Sequence, residues 1–292
     1  MDVIIDQEMD GVADGAFSWI YGLICNFFRK IILSIVSAGP MPTHVAMIMD
    51  GNRRFARYRK MKKNSGHRYG FQSLVSTLRN CYELGIKYVS IYAFSIDNFN
   101  RKPEEVGGVM DLMHEKIEDA LREGSFIKTF GVKVQFVGKL ELLPEHVRSS
   151  ADKLMKETAE NTRGMLSICV CYTSTDEIAH SVQEAFHENC IRSGKFLNGN
   201  ECGKSEANSD ACPITLADLE KHMYMAHCPD PDILIRTSGE TRLSNFLLWQ
   251  ANSCYLHISR ALWPEFSLRY LVSAILEYQR VQPYLEKIKK KQ

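Results

Sequence analysis

The sequence predicts an α/β fold: a single domain on a mainly parallel six-stranded sheet flanked by helices. Three observations carry this. Short, near-continuous apolar runs alternate with longer stretches of helical period, the pattern of strands buried between helical layers. A chain of 292 residues fits one large domain. Polar loops also follow several runs directly, at the edge where open α/β sheets bind ligands.

The elements follow in chain order. After the Gly39-Pro40-Met41-Pro42 break, His44–Met49 reads as a buried strand. Phe71, Leu74, Val75, Leu78 and Tyr82 recur at helical spacing, and Tyr88–Phe94 is strand-like. Val106, Val109, Met110, Met113, Ile117 and Leu121 mark the next helix. Val132–Val137 is a third strand, a helix starts near Pro144, and Leu166–Tyr172 is a fourth strand. Ser174-Thr-Asp-Glu177 has the form of a capping box that opens another helix. Residues 192–213, rich in Gly, Asn, Ser, Glu and Lys, read as a flexible surface loop. Strands at Ile233–Ile235 and Cys254–Ile258 precede a last helix, about Ser267–Lys287. Such alternation gives a parallel sheet covered on both faces.

Composition narrows the function classes. A net charge of +1 excludes a general nucleic-acid binder, so basic chemistry must come from local clusters. Nine cysteines without CxxC pairs make no disulfide framework. His222, His227 and Cys228 match no common zinc spacing, and no Walker or Gly-x-Gly-x-x-Gly pattern occurs. The absence of any Asn-x-Ser/Thr acceptor is compatible with a cytosolic face.

The N-terminal region needs its own reading. Residues 16–37 are strongly apolar but interrupted by Arg29-Lys30. In a spanning helix those charges would fall near the bilayer centre, at about 2.5–3.5 kcal/mol each. Asp2, Asp6, Glu8 and Asp10 precede the segment, unlike a signal peptide. The expectation is a helix in the membrane interface or one packed over an apolar opening, with an ordinary docked helix as the alternative.

Three loops carry the chemistry. Arg236-Thr-Ser-Gly-Glu-Thr-Arg242-Leu-Ser244 leaves a buried apolar run and presents two guanidinium forks and a hydroxyl, a clamp for an anion. Asp50-Gly51-Asn52-Arg53-Arg54 leaves the first strand; Gly51 lets the backbone approach a ligand. A carboxylate among phosphate-binding groups makes sense if Asp50 holds Mg2+, which binds through one or two carboxylates plus substrate phosphates. The bland alternative is an Asp-Gly turn with solvated arginines. The basic run from Arg57 to Lys63 and His67 is either a lid over phosphates or a solvated surface. Ala93–Arg101 leaves the second strand and offers Asn98 and Arg101, or is simply a polar loop capping the next helix. Two anion sites in one domain point to two phosphorylated substrates.

Together these segments resemble the cis-prenyltransferases, the undecaprenyl and dehydrodolichyl diphosphate synthase family. The resembling residues are His44–Ala56, Gly66-His67, Tyr92–Phe99, Pro231–Gln250 and Leu262–Phe266, in order over roughly residues 40–285. The chain is most similar to the eukaryotic dehydrodolichyl type, including plant enzymes that make dolichols or rubber-like polyisoprenes. The resemblance implies farnesyl diphosphate at Gly51, Asn52, Arg53, Arg54 and His67, and isopentenyl diphosphate at Arg236, Arg242 and Ser244. It implies that Asp50 holds Mg2+ and assists diphosphate departure, that Arg54 is catalytic as well as substrate-binding, that Asn98 is linked to proton removal, and that Arg101 contacts phosphate. The growing chain then needs an apolar product tunnel, with Phe71, Leu74, Leu78, Phe94, Val106, Met110 and Met113 as expected lining. On this reading residues 1–38 form an N-terminal apolar or amphipathic helix region and 39–292 the catalytic domain.

Three departures shape the partner expectation. The place of a metal-linked glutamate in bacterial homodimers falls at about Tyr255, and Lys63 stands for an arginine. The chain also ends in Lys-Lys-Lys-Gln without the Arg-x-Gly segment that reaches phosphates across a dimer. A heteromer with a homologous, silent subunit similar to the Nogo-B receptor, bringing Arg-x-Gly, is expected. The expected setting is the cytosolic face of the endoplasmic reticulum membrane with peripheral contact, or else cytosol or a lipid or rubber particle. Other readings are rubber-type polymer synthesis, a non-catalytic partner- or lipid-binding subunit, and a phosphate-binding hydrolase; no second carboxylate cluster supports the last.

Overall fold

A computed structural model describes residues 15–62, 65–192 and 213–290. The expectations for Lys63 and for nearly all of the 192–213 loop lie outside the described residues. The six expected strands form one all-parallel sheet. They are β1 (His44–Ile48), β2 (Tyr88–Ser95), β3 (Val132–Val137), β4 (Gly164–Tyr172), β5 (Ile233–Arg236) and β6 (Tyr255–Ile258), in the order β3-β4-β2-β1-β5-β6. Every residue of β1 and β5 is buried, which is why both read as unbroken apolar runs.

From β1 the chain moves one way to β2, and β5 lies on β1's other side. The carboxyl ends of β1 and β5 therefore flank a topological switch point, where α/β sheets open a crevice. Asp50 follows β1 and Thr237 follows β5, so the topology brings the two anion loops together.

The pleat sends alternate β1 residues to opposite layers. Val45 and Met47 join the larger core, while Ala46 and Ile48 join a smaller one with Leu234, Tyr172, Phe246 and Leu247. On the larger side lie α3 (Ser65–Glu83), α4 (Pro103–Leu121), α6 (Glu145–Glu157) and α9 (Leu268–Lys289). On the smaller side α7 (Ser174–Arg192) and the short α8 (Leu216–Lys221) pack near Tyr224 and Met225. Two further short helices, α2 (Asn52–Tyr58) and α5 (Phe126–Phe130), carry too few periodic apolar positions to stand out in the sequence.

One expectation at α7 is corrected. Thr173, not Ser174, caps the helix: its Oγ1 accepts from the Asp176 amide at 3.2 Å. Glu177 does not reach back to the cap but turns inward, and Ser174 Oγ accepts from the Leu248 amide at 2.9 Å. Contacts distant in sequence, to Met225 and Leu248, occupy the two end residues of the apparent box.

The N-terminal segment forms α1 (Gly15–Val36). Leu33 and Val36 enter the larger core, and Arg29 reaches Asn80 Oδ1 at 2.7 Å and Glu83. Leu23, Ile24, Phe27, Phe28, Ile31 and Ile35 remain exposed. Among the described residues no helix is long and apolar enough to cross a membrane.

Candidate active site

The β1 corner is shaped by close backbone packing. Gly51 has φ of 116°, and a Cβ there would lie 3.0 Å from Leu262 Cα and the Trp263 nitrogen. A Cβ on Gly70 would sit 2.2 Å from Asn52 Oδ1. Asn52 is thereby pressed against α3 with its Nδ2 donating to Met49 O at 3.3 Å, while its Oδ1 is buried and unpartnered. His67, at the start of α3, has a buried, unpartnered Nε2. Burial, then the nearby Arg101 charge, depresses its pKa, so the imidazole is neutral at neutral pH.

The β5 corner is shaped by side-chain hydrogen bonds. Arg236, 3% exposed, donates to Asp50 Oδ2 at 2.9 Å, to Ser244 Oγ at 2.7 Å and to the Arg242 carbonyl. Arg54 lies 3.3 Å from the same Asp50 oxygen. Partial burial pushes the Asp50 carboxyl up, but hydrogen bonds and charge from Arg236 and Arg54 outweigh it and hold the group below its ordinary value. Thr237 Oγ1 and the Trp263 amide donate to the Asp50 carbonyl at 2.6 and 3.0 Å, fixing the backbone between the corners.

Both corners open on one cavity of about 1170 Å3. Asp50, Gly51, Asn52, Arg53, Arg54, His67, Asn98, Arg101, Arg236, Arg242 and Ser244 all line it. Its polar end lies at the carboxyl edge of the sheet, and its apolar end runs between the sheet, α3 and α4 to Val134, Leu154 and Leu166. Phe71, Leu74, Leu78, Phe94 and Met113 line it as expected; Val106 and Met110 do not. Met110 is 2% exposed and packs in the solid core, because helical period alone does not tell a cavity-facing side chain from a core-facing one.

Counter-ions were the residues that sequence reasoning missed. Glu240 sits 3.3 Å from Arg54 and also pairs with Arg242, so one carboxylate bridges the two anion loops. Glu105 on α4 holds Arg53 at 3.3 Å and Arg101 at 3.2 Å. Glu240 was visible inside the arginine loop; Glu105, some fifty residues from Arg53, carried no local signal. An acid also stands beside Tyr255 in space: Glu277 accepts from its hydroxyl and from His257 Nδ1, both at 2.9 Å, but does not line the cavity.

An arginine-rich mouth on an apolar cavity defines a site for amphipathic anions, a diphosphate head with a hydrocarbon tail. The comparisons narrow that class. Residues 48–285 match the family model described as putative undecaprenyl diphosphate synthase. A dehydrodolichyl diphosphate synthase of Solanum lycopersicum is 47% identical over 97% of this chain and 99% of its own. The rubber cis-polyprenyltransferase HRT2 of Hevea brasiliensis is 49% identical, over 92% and 95%. A human dehydrodolichyl diphosphate synthase complex subunit is 38% identical, over 92% and 77%. The crystal structure of lavandulyl diphosphate synthase from Lavandula x intermedia with dimethylallyl diphosphate superposes with a TM-score of 0.71 at 26% identity, covering 82% of this chain and 95% of that one. The chain belongs to the undecaprenyl diphosphate synthase family and is a plant-like eukaryotic cis-prenyltransferase. Its activity is cis-prenyl chain elongation, the reaction of dehydrodolichyl diphosphate synthesis.

Proposed function

We propose that the chain condenses isopentenyl diphosphate onto farnesyl diphosphate, repeatedly, with the head groups at the two corners and the growing chain in the apolar cavity. The observation that carries this is the continuity of one cavity from Asp50 and Arg236 to Leu154 and Leu166. The new bond joins the terminal alkene carbon of isopentenyl diphosphate to C1 of the allylic chain. The C1–O bond breaks, diphosphate leaves, and a proton is lost from C2 of the isopentenyl unit.

Each residue role follows from its surroundings. The Gly51–Arg54 turn, the neutral imidazole of His67 and Arg101 bind the allylic diphosphate, whose oxygens accept from the guanidinium groups and from His67 Nε2–H. Arg54 bears on the leaving diphosphate. Arg236, Arg242 and Ser244 bind isopentenyl diphosphate and hold its alkene toward C1. Asn98, at the cavity mouth, orients the isopentenyl unit for proton loss. The hydrocarbon wall excludes water from the allylic centre, which suppresses hydrolysis.

Asp50 also fits a magnesium role. Its carboxylate is held in the ionised form, and no group of three or more His, Cys, Asp or Glu gathers for a metal among the described residues. That suits Mg2+ bound by one carboxylate plus substrate phosphates rather than by a protein cage. When bound, the ion supplies charge neutralisation on the diphosphate oxygens.

A partner subunit similar to the Nogo-B receptor, with an Arg-x-Gly tail, adds a further cation at the isopentenyl corner. Two observations support this. A human relative is named as a complex subunit, and Arg242 stands 64% exposed at the rim. Peripheral contact at the endoplasmic reticulum membrane is supported by the exposed apolar face of α1. The Hevea relative supports rubber-type polymer as a second product reading. Labelled isopentenyl diphosphate, given with farnesyl diphosphate to the chain co-expressed with such a partner, tests the proposal. Dolichol-length lipid is the expected product, rubber-length polymer would select the second reading, and no incorporation would overturn both.

A further inference from the structure

The segment from Ser244 to Gln250 carries the hydroxyl that Arg236 grips, and its backbone is under strain. Ser244, Asn245 and Leu247 have φ of 50°, 59° and 47°. None is glycine, and such conformations persist where surrounding structure over-determines them. Here the constraint comes from the junction of β4 and α7. The Ser174 amide donates to Asn245 O at 2.8 Å, and the Thr175 amide donates to Asn245 Oδ1 at 3.2 Å. The Leu248 amide donates back to Ser174 Oγ. From the sheet, the Tyr92 hydroxyl lies 3.3 Å from Ser244 O, and its ring stacks on Phe246 at 4.5 Å.

Beneath this junction lies Glu177, with 0% exposure. Its Oε1 accepts from the Met225 amide and from Gln250 Nε2, both at 3.0 Å, and its Oε2 accepts from the Tyr172 hydroxyl. Tyr172 in turn packs edge-on to Phe246 at 6.0 Å. The carboxylate thus grips the end of the strained segment through Gln250 and its middle through Tyr172. Withdrawing a carboxylate from water is costly unless its lone pairs are used. Glu177 does not line the cavity, so it touches neither substrate.

We propose that Glu177 is a positioning residue for isopentenyl diphosphate, setting the 244–250 segment and with it Ser244 in the grip of Arg236. This rests on the reading of the β5 corner as the isopentenyl site. The allylic corner hangs from β1, α2, α3 and the Ala93–Arg101 loop, none of which Glu177 bonds. Its loss therefore acts on one substrate.

The test compares wild type with Glu177→Ala, Glu177→Gln and Tyr172→Phe, each with the co-expressed partner. KM for both diphosphates, kcat, and equilibrium binding of isopentenyl diphosphate are measured. Glu177→Ala raises the isopentenyl KM and binding constant roughly tenfold or more, the scale of a displaced binding group. It leaves kcat and the farnesyl KM within about twofold, the pattern of a lost ground-state contact. Glu177→Gln, which keeps the acceptor oxygen, restores most of the affinity. Should the alanine variant fail to fold, Tyr172→Phe still removes one donated bond and raises the isopentenyl KM several-fold without moving the farnesyl KM. Equal changes in both KM values, or a lowered Tm with the isopentenyl KM unmoved in the folded variants, overturns the positioning role. Wild type that binds isopentenyl diphosphate while the variants bind it equally well sinks this inference alone. Wild type that binds none removes the site reading and this inference together.

Discussion

The two corners of the cavity are built by different means. At the β1 corner backbone closeness sets the geometry: Gly51 clears space for Leu262 and Trp263, Gly70 clears it for Asn52, and Asn52 Oδ1 and His67 Nε2 are left unpartnered within the chain. At the β5 corner polar bonds set it: Arg236 has three acceptors in hand, and the strained 244–247 backbone is tied to α7. The first corner should fail by steric intrusion and the second by loss of hydrogen bonds. Asp50 belongs to both, since it ends β1 and pairs with Arg236. Asp50→Asn keeps the shape and removes the charge, so condensation should fall on the order of a thousandfold, the scale of a lost electrostatic contact in a transition state. Single-turnover incorporation of isopentenyl diphosphate, with partner assembly as the control, measures it. Near-normal turnover would show that the corners work without their shared carboxylate.

The strands that carry the corners are tied together at their other ends by His44. Its Nδ1–H donates to Pro229 O at 2.6 Å, its Nε2 accepts from Ser90 at 2.8 Å, and its amide lies 3.1 Å from Asp232. Burial depresses its pKa from 6.5 to about 4. Between those values the unfolded chain takes up a proton that the native chain refuses, so stability is present above about 6.5 and is lost as pH falls toward about 4. The loss should reach about 3 kcal/mol. The contribution of Asp50, whose pKa is also depressed, disappears only below its ordinary 3.8, a separate window. Thermal melts from pH 7 to pH 4 should show the first slope, and His44→Gln should reduce it by the share of His44, leaving that of His67 and His227, whose pKa values are also depressed. A flat wild-type profile would mean the tie does not depend on a neutral imidazole.

How much of this was legible in the sequence depends on whether the cause was local. Buried parallel strands announce themselves as apolar runs, and β3 begins and ends where its run does. The loops at Asp50 and Arg236 were legible because each follows its strand directly and holds its charges within a few residues. What the sequence hid was long-range. Glu105 reaches Arg53 across the mouth, Glu277 reaches Tyr255 from the last helix, and Glu177 abandons an apparent capping box for Tyr172, Met225 and Gln250. A carboxylate's partner is chosen by packing, which short-range pattern cannot report.

The steric character of the β1 corner is tested at Gly70. A methyl there would stand 2.2 Å from Asn52 Oδ1 and 2.9 Å from Trp263 Cδ1. Asn52 must move, and it carries the turn that holds Gly51. Gly70→Ala should lower kcat/KM for farnesyl diphosphate by roughly a hundredfold, as expected for a displacement near 1 Å at reacting groups. Because the β5 corner, the proposed isopentenyl site, is built on β5 and α7, the isopentenyl diphosphate binding constant should stay near wild type. A matched loss at both substrates would show that the corners are mechanically coupled through Trp263.

The smallest effect belongs to the rim. Arg242 is 64% exposed and shares Glu240 with Arg54, so its charge is screened by solvent and by that carboxylate before any substrate arrives. Arg242→Ala should raise the isopentenyl KM by roughly tenfold, equivalent to one charge-assisted hydrogen bond of about 1.5 kcal/mol. Its carbonyl still accepts from Arg236, so the fold of the loop should survive, and circular dichroism melts should be unchanged. Neutralising Glu240 instead provides the sharper measurement. If Glu240 chiefly holds the two arginines apart from their ligands, Glu240→Gln alone should lower the KM for both diphosphates. If it chiefly organises them, the same change should raise both. The sign of that shift decides whether the carboxylate between the corners is a competitor of the substrates or a scaffold for them.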